Sequence, residues 1–191
     1  RIAEAEAELT RAEEIIAGLE SPEPRAYLSF AQGALALETG DLPLARAYLD
    51  EALAIFRSLG NAAAGWYEGF GGLVDYASGD LTAAQAAVAN LMALVESLPA
   101  GAMAAGEPLV CAAQLALYLH DRARYPELLG LLERYPGQFH DLLVDRLRGE
   151  LSLRLGDLTA AQSLLAASER QSRVASLLWE LVRVQEAQAD L

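Results

Sequence analysis

The sequence "GDLTAAQ" occurs twice in this chain, at residues 79–85 and again at residues 156–162. A third copy, "TGDLPLARAYL", begins at residue 39, and a more divergent one, "LHDRARYPELLGLL", begins at residue 119. The aspartates of the four copies, Asp41, Asp80, Asp121 and Asp157, follow one another at spacings of 39, 41 and 36 residues. Self-similarity at such a period indicates a repeat architecture.

Each Gly-Asp pair lies between two runs that have helical composition, as in "YLSFAQGALALE" before Gly40 and "LARAYLDEALAIFRSL" after Asp41. Glycine can end a helix in the left-handed conformation, and aspartate can cap the next helix by accepting its free backbone N–H groups. The Gly-Asp pair is therefore predicted to form the corner of an antiparallel helix pair.

Small residues recur at fixed distances from these corners. Seven residues before the turn position the chain has Gly33, Gly72, Ala113 and Gly149, and five residues after it Ala45, Ala84 and Ala161, with Tyr125 as the exception. Small residues on both helices let the two helices cross closely. The resulting repeat signature consists of Gly33, Gly40, Asp41, Ala45, Gly72, Gly79, Asp80, Ala84, Gly149, Gly156, Asp157 and Ala161.

The period extends to both ends of the chain. We expect a single repeat domain over residues 1–191, with a half-unit at 1–20, repeats at 25–59, 62–97, 107–135 and 138–170, and a half-unit at 173–191. The predicted fold is all-α: a right-handed α-solenoid of antiparallel helix pairs with about nine helices. Because both ends lie within a unit and the chain begins at Arg1 without Met, we expect a fragment of a larger protein.

The charge of the chain is unevenly distributed. The net charge is −13 and there is no lysine; residues 1–121 hold seventeen acidic residues against five arginines, and residues 122–191 hold ten against nine. Such acidity argues against direct nucleic-acid binding, which requires clusters of basic residues. The longest uncharged stretch, 81–95, is too short and too polar to span a membrane. One cysteine fits a reducing compartment, so we expect a cytoplasmic location.

No pattern in the sequence predicts catalysis. The "GFGG" stretch at 69–72 lies within a helical run and lacks the Lys-Ser/Thr of a phosphate-binding loop. His120 and His140 lie at a turn and a helix start, and Cys111 lies in an apolar helix without a nearby cation that would activate it. A metal pair and a nucleophilic thiol remain the alternatives to these structural roles. We expect no enzyme activity, no cofactor and no metal.

The surface of stacked helix pairs is the expected place of function, because the first helices of such pairs line a concave groove. Residues on the first helices opposite the packing positions are the candidate groove residues: Tyr27, Phe30, Trp66, Phe70, Tyr76, Gln114, Tyr118, Arg146, Glu150 and Arg154. Aromatic and arginine side chains are common in binding hot spots. Arg146 and Arg154, two helical turns apart, could hold a ligand carboxylate. Packing of these bulky side chains against the adjacent repeat is the alternative.

The signature resembles that of the tetratricopeptide repeat (TPR), in Gly33…Gly40-Asp41…Ala45…Ala52, in Gly72…Gly79-Asp80…Ala84 and in Gly149…Gly156-Asp157…Ala161. The period departs from that family's repeat of about 34 residues, and the usual proline after the second helix appears only at Pro99 and Pro136. Long, degenerate repeats of this kind are similar to those in the sensor regions of large bacterial transcriptional activators.

The resemblance implies a non-catalytic module that binds a protein or peptide partner, or attached domains of the same polypeptide, in a signal-transduction or transcription-regulating protein. The alternative is a domain that senses a small molecule in the same groove. Neither reading involves a membrane.

Overall fold

The computed structural model describes residues 2–61, 64–99, 102–134, 141–174 and 178–191. Within these ranges it contains ten α-helices: α1 (Ile2–Ile16), α2 (Glu23–Thr39), α3 (Leu42–Ser58), α4 (Ala64–Ala77), α5 (Leu81–Ser97), α6 (Gly106–Tyr118), α7 (Tyr125–Arg134), α8 (Asp141–Leu155), α9 (Leu158–Val174) and α10 (Leu178–Ala189). Short 3₁₀ turns precede α6 and α7.

The all-α prediction is confirmed, since the described ranges contain helices that pack in neighbouring pairs and no β-strand. The helix number is ten in those ranges, one more than the predicted nine or so. No helix in the described part of the chain combines the length and apolar content needed to cross a bilayer.

The chain divides into two compact units, Arg1–Ala87 and Val88–Leu191, here called unit 1 and unit 2. In unit 1, core side chains of α2, α3 and α4 form two adjoining clusters, one around Phe56 and the other around Leu49. In unit 2, α8 packs on α9, and α9 packs on α10 through Leu165, Val184 and Ala187.

The four corners, three of them Gly-Asp and one His-Asp, share one backbone arrangement. At the first, Gly40 has a φ of 82° and its N–H donates to the carbonyl of Leu37 (3.1 Å), while the Asp41 N–H donates to Ala36 (2.9 Å). This pair of bonds satisfies carbonyls at the end of α2 in the manner of a Schellman motif. The glycines of the other two Gly-Asp corners, Gly79 and Gly156, have φ values of 84° and 88°.

Side-chain caps distinguish three of these corners from the fourth. Asp41 accepts from the N–H of Leu44 (3.1 Å), and Asp80 and Asp157 accept in the same way from the residue three positions further on (2.9 and 3.0 Å). Asp121 makes no such cap and instead pairs with Arg124 at 3.3 Å. The turn position there is His120, which adopts a φ of 53° although left-handed backbone is unfavourable for residues that have a Cβ.

Glycines let the two helices of a pair cross closely. A Cβ on Gly33 of α2 would lie 2.9 Å from Cγ of Leu49 on α3. A Cβ on Gly149 of α8 would lie 2.8 Å from Cγ of Leu165 on α9. Both distances are shorter than real Cβ contacts allow, so each helix pair excludes a side chain at this position.

The glycine cluster at 69–72 lies inside α4, as the sequence indicates. The carbonyl of Gly71 accepts a hydrogen bond at 3.1 Å from Arg46 of α3, which also pairs with Asp75. Gly72 is buried. The glycines therefore face a neighbouring helix of unit 1, and Arg46 holds α3 to α4.

Candidate functional site

Unit 1 brings together several of the predicted groove residues in an aromatic cluster, formed by Tyr27, Phe30, Phe56, Tyr67 and Phe70. The rings of Phe30 and Phe70 meet edge to face with centroids 4.8 Å apart, and Phe30 meets Tyr67 in the same way at 4.7 Å. Phe56 and Tyr67 stack at 4.5 Å. The cluster thus joins α2, α3 and α4 through ring contacts of favourable geometry.

Exposure differs sharply within the aromatic cluster. Phe56 and Tyr67 are buried, Phe30 and Phe70 are half-buried, and Tyr27 at its edge is 45 % exposed while its ring contacts Phe56 at 5.0 Å. The Tyr67 hydroxyl is buried and has no hydrogen-bond partner within the described part of the chain. Burial, with smaller contributions from Tyr27 and Glu23, raises the pKa of Tyr67 well above its ordinary value.

Unit 2 brings together other predicted groove residues in an ionic cluster, formed by Gln114, Arg146, Glu150 and Glu180. Arg146 is only 2 % exposed. Its Nε donates to Oε1 of Glu180 at 2.6 Å, its Nη2 donates to Oε1 of Gln114 at 2.7 Å, and its Nη1 pairs with Glu150. One guanidinium therefore links α6, α8 and α10.

The charges of the ionic cluster do not balance, because one guanidinium serves two carboxylates. Glu180 is fully buried, and its Oε2 has no hydrogen-bond partner among the described residues. Burial raises the pKa of the Glu180 carboxyl, although Arg146 opposes the shift. Burial alone would lower the pKa of Arg146, but Glu150 and Glu180 together raise it. Arg146 thus stays charged, and burial makes the Glu180 carboxyl easier to protonate than an ordinary glutamate.

This geometry revises the predicted carboxylate clamp. Arg146 is buried and donates to Glu180, Glu150 and the amide oxygen of Gln114, so it is not presented to a ligand. Arg154 is exposed and pairs with Asp190 at 3.0 Å. Tyr76 and Tyr118 are half-buried, and the side chain of Trp66 lies outside the described residues.

A cleft with a volume of about 620 Å³ opens in unit 1 where α1, the connection 17–22, α2 and α3 meet. Its polar lining includes Glu13, Glu20, Arg25, Ser29 and Glu51. Its apolar and aromatic lining includes Ile16, Leu28 and Tyr48. The volume falls in the range of about 300–1,000 Å³ that is usual for ligand sites. We call this feature the unit-1 cleft.

Glu51 is held in place within the unit-1 cleft. Its Oε1 accepts from Nη2 of Arg25 at 2.5 Å, and its Oε2 accepts from the buried Ser29 hydroxyl at 3.0 Å. Arg25 itself is exposed, so the ion pair lies at the cleft mouth. The carboxylate is thereby fixed by one buried and one solvent-facing partner.

The residues considered for chemistry have ordinary surroundings. Cys111 is buried in α6, and burial, with Glu107, raises its thiol pKa, which disfavours the thiolate. His120 occupies the turn position described above, whereas His140 lies outside the described residues. Within the described ranges no group of three His, Cys, Asp or Glu side chains is placed to hold a metal.

No protein-family model matches this sequence. No curated protein matches it either.

Several site residues were not found from the sequence, among them Phe56 and Tyr67 of the aromatic cluster, Glu180 of the ionic cluster and Glu51 of the unit-1 cleft. Glu180 interrupts the apolar run "LLWELV", and an acid in such a run is a signal for a buried, paired carboxylate. Glu51 follows Asp50 on α3, and nothing in its surroundings marks it. Its contacts to Arg25 and Ser29 arise only when α2 and α3 pack.

Proposed function

We propose that this chain is a TPR-like, non-catalytic interaction module that binds a peptide or protein segment, and that it works within a larger, transcription-regulating bacterial protein in the cytoplasm. The predicted right-handed stacking of the helix pairs is part of this proposal. The recurring Gly-Asp corners and the glycine crossings of α2 with α3 and of α8 with α9 support it.

The observation that carries the proposal is the aromatic cluster. Three predicted groove residues, Tyr27, Phe30 and Phe70, belong to it, and Tyr27 presents an exposed face while its ring packs on buried Phe56. A partly exposed aromatic side chain on a rigid base loses little conformational freedom on binding, which favours it as an anchor. A partner segment would cover Tyr27 and the half-buried rings beside it.

A small-molecule sensor is the second candidate, and the unit-1 cleft favours it. The cleft has a ligand-sized volume and mixes charged with apolar lining. In that case a metabolite would occupy the cleft and alter the packing of α1 on α2.

A selection from a random peptide library, followed by calorimetry on the selected synthetic peptides, tests the first proposal. We expect saturable 1:1 binding that weakens about tenfold in Tyr27→Ala, equivalent to about 1.4 kcal/mol. The matched control is Leu44→Ala, which removes another exposed apolar side chain of unit 1. The peptide affinity of this variant should stay within twofold of the wild-type value. Circular dichroism establishes that both variants fold.

Library-wide failure to find saturable peptide binding would overturn the interaction proposal. Thermal stabilisation by a metabolite, without any peptide binding, would support the sensor instead. Equal losses in Tyr27→Ala and Leu44→Ala would place the peptide away from the aromatic cluster.

A further inference from the structure

The unit-1 cleft has a negative electrostatic character. Among the side chains that line it, Glu13, Glu20 and Glu51 supply three carboxylates, and Arg25 supplies one guanidinium. The surrounding sequence is acidic too, with seventeen acids against five arginines over residues 1–121. A concave surface with an excess of one charge attracts ligands of the opposite charge.

The arginines of the surrounding helices leave this excess in place. Arg11 pairs with Glu8, Arg46 with Asp75 and Arg57 with Glu68, and none of these six side chains lines the cleft. Each pairing neutralises an acid elsewhere in unit 1. Among the described side chains, Arg25 is therefore the one guanidinium that offsets the three cleft carboxylates.

Glu51 can exchange Arg25 for a ligand cation at small cost. The Arg25 side chain is 67 % exposed, and exposed ion pairs contribute little to stability because water and salt screen them. The Ser29 hydroxyl, in contrast, is buried and keeps the carboxylate oriented when Arg25 moves away. A preorganised acceptor of this kind favours a charged donor from outside.

The apolar part of the lining adds a second requirement on the ligand. Ile16, Leu28 and Tyr48 line the same cleft as the carboxylates. An arginine or lysine side chain combines an aliphatic stem, which can lie on such residues, with a cationic end. A small inorganic cation would satisfy the carboxylates and leave the apolar lining uncovered.

We propose that the unit-1 cleft binds an arginine or lysine side chain of a partner peptide, with Glu13, Glu20 and Glu51 as its acceptors. This inference rests on the proposed role as a peptide-binding module. It adds the requirement that the partner segment be basic. It also places this contact at the cleft, which is separate from the aromatic cluster.

An NMR titration of the ¹⁵N-labelled chain tests the inference. The probes are the peptide acetyl-Ala-Leu-Arg-Leu-Ala-amide and the same peptide with citrulline, which keeps the shape of arginine without its charge. We expect at least tenfold tighter binding of the arginine peptide, with the shifts concentrated in residues 13–32 and 48–51. Affinity should fall as salt increases, since screening weakens charge attraction.

Two double variants of equal net charge separate the cleft from general electrostatic attraction. Glu13→Gln/Glu20→Gln should weaken arginine-peptide binding about fivefold, as expected for two solvent-facing charges. Glu6→Gln/Glu14→Gln removes two exposed acids of α1 that do not line the cleft, and should change affinity less than twofold. All four positions are exposed, so both variants should fold.

Other outcomes overturn the inference. Equal binding of the arginine and citrulline peptides, or equal losses in the two double variants, would do so and leave the proposed function intact. Shifts caused by free spermidine but by no peptide would assign the cleft to a small amine. That result, combined with a failed library selection, would remove the proposed function as well.

Discussion

The aromatic cluster of unit 1 and the ionic cluster of unit 2 lie at the same kind of position in the repeat but consist of different kinds of side chain. Each joins first helices of successive helix pairs, α2 with α4 in one case and α6 with α8 and α10 in the other. Unit 1 uses ring contacts, which are only weakly directional, whereas unit 2 uses a guanidinium with fixed donors. The repeat therefore specifies the helix pair, whereas individual residues specify the contact between one pair and the next, here called the joint.

Removal of the Arg146 guanidinium should have the largest effect on the stability of either cluster. Arg146→Met leaves Glu180 buried without its cation, and removing one partner of a buried ion pair costs about 3–5 kcal/mol of unfolding free energy. Urea denaturation monitored by circular dichroism measures the loss.

Two further variants show whether the loss comes from the unpaired charge. Arg146→Met/Glu180→Leu should be more stable than Arg146→Met alone, because no uncompensated carboxylate remains buried. In the aromatic cluster, Phe30→Leu should cost only about 1–2 kcal/mol, since apolar contacts adapt to a change of shape. Equal losses in Phe30→Leu and Arg146→Met would erase the distinction between the two joints.

The glycine crossings test what the two units have in common. Gly33→Ala and Gly149→Ala each place a Cβ within 3 Å of a leucine Cγ on the partner helix, so both should lose about 1–3 kcal/mol. Thermal denaturation should show similar shifts for the two variants.

Gly130 of α7 is the matched control for these substitutions. A Cβ there would meet nothing within 4 Å, so Gly130→Ala should raise stability by about 0.5–1 kcal/mol through helix propensity. Stabilisation of all three alanine variants would mean that close helix crossing is not the reason for glycine at 33 and 149.

The parts that could be predicted from the sequence are those determined by near neighbours. Gly40 and Asp41 act on atoms within five residues, so their pattern predicts the corner directly. Arg146 meets Gln114 and Glu180 across 32 and 34 residues. Helix offsets place Arg146 and Gln114 on first helices, but burial and pairing depend on packing, which the offsets do not contain.

Only the ionic joint should respond to pH in the acidic range. The folded-state pKa of Glu180 lies above its ordinary value of 4.5, so the folded protein binds this proton more tightly than the unfolded chain does. Its contribution to stability is therefore complete below pH 4.5 and is lost as pH rises through the folded-state pKa. Glu180→Gln removes this dependence, and its stability relative to wild type should improve as pH rises.

Urea unfolding between pH 4 and pH 8 measures this relative change, which we expect to be smaller than the loss in the glycine variants. Glu186→Gln, at an exposed position of the same helix, is the control for removing one carboxylate from α10. A constant offset of Glu180→Gln from wild type would show that Glu180 titrates as an ordinary exposed acid.

The smallest expected effect concerns the aromatic joint. The Tyr67 hydroxyl is buried without a partner in the described part of the chain, so Tyr67→Phe removes an unsatisfied group and keeps the ring contacts. We expect no loss of stability, and at most about 1 kcal/mol of gain. A clear destabilisation in a thermal melt would indicate that the hydroxyl has a bonded water.

The ionic cluster also determines which helix pairs can be neighbours. A pair that carries Arg146 fits only beside helices that offer Gln114 on one side and Glu180 on the other. Shuffling, duplicating or deleting one pair in unit 2 would leave a buried charge unmatched, even though every Gly-Asp corner stayed the same. The guanidinium thus restricts the order in which these helix pairs can be assembled. An engineered array that contains the Arg146 pair would need to keep Gln114, Glu150 and Glu180 together with it.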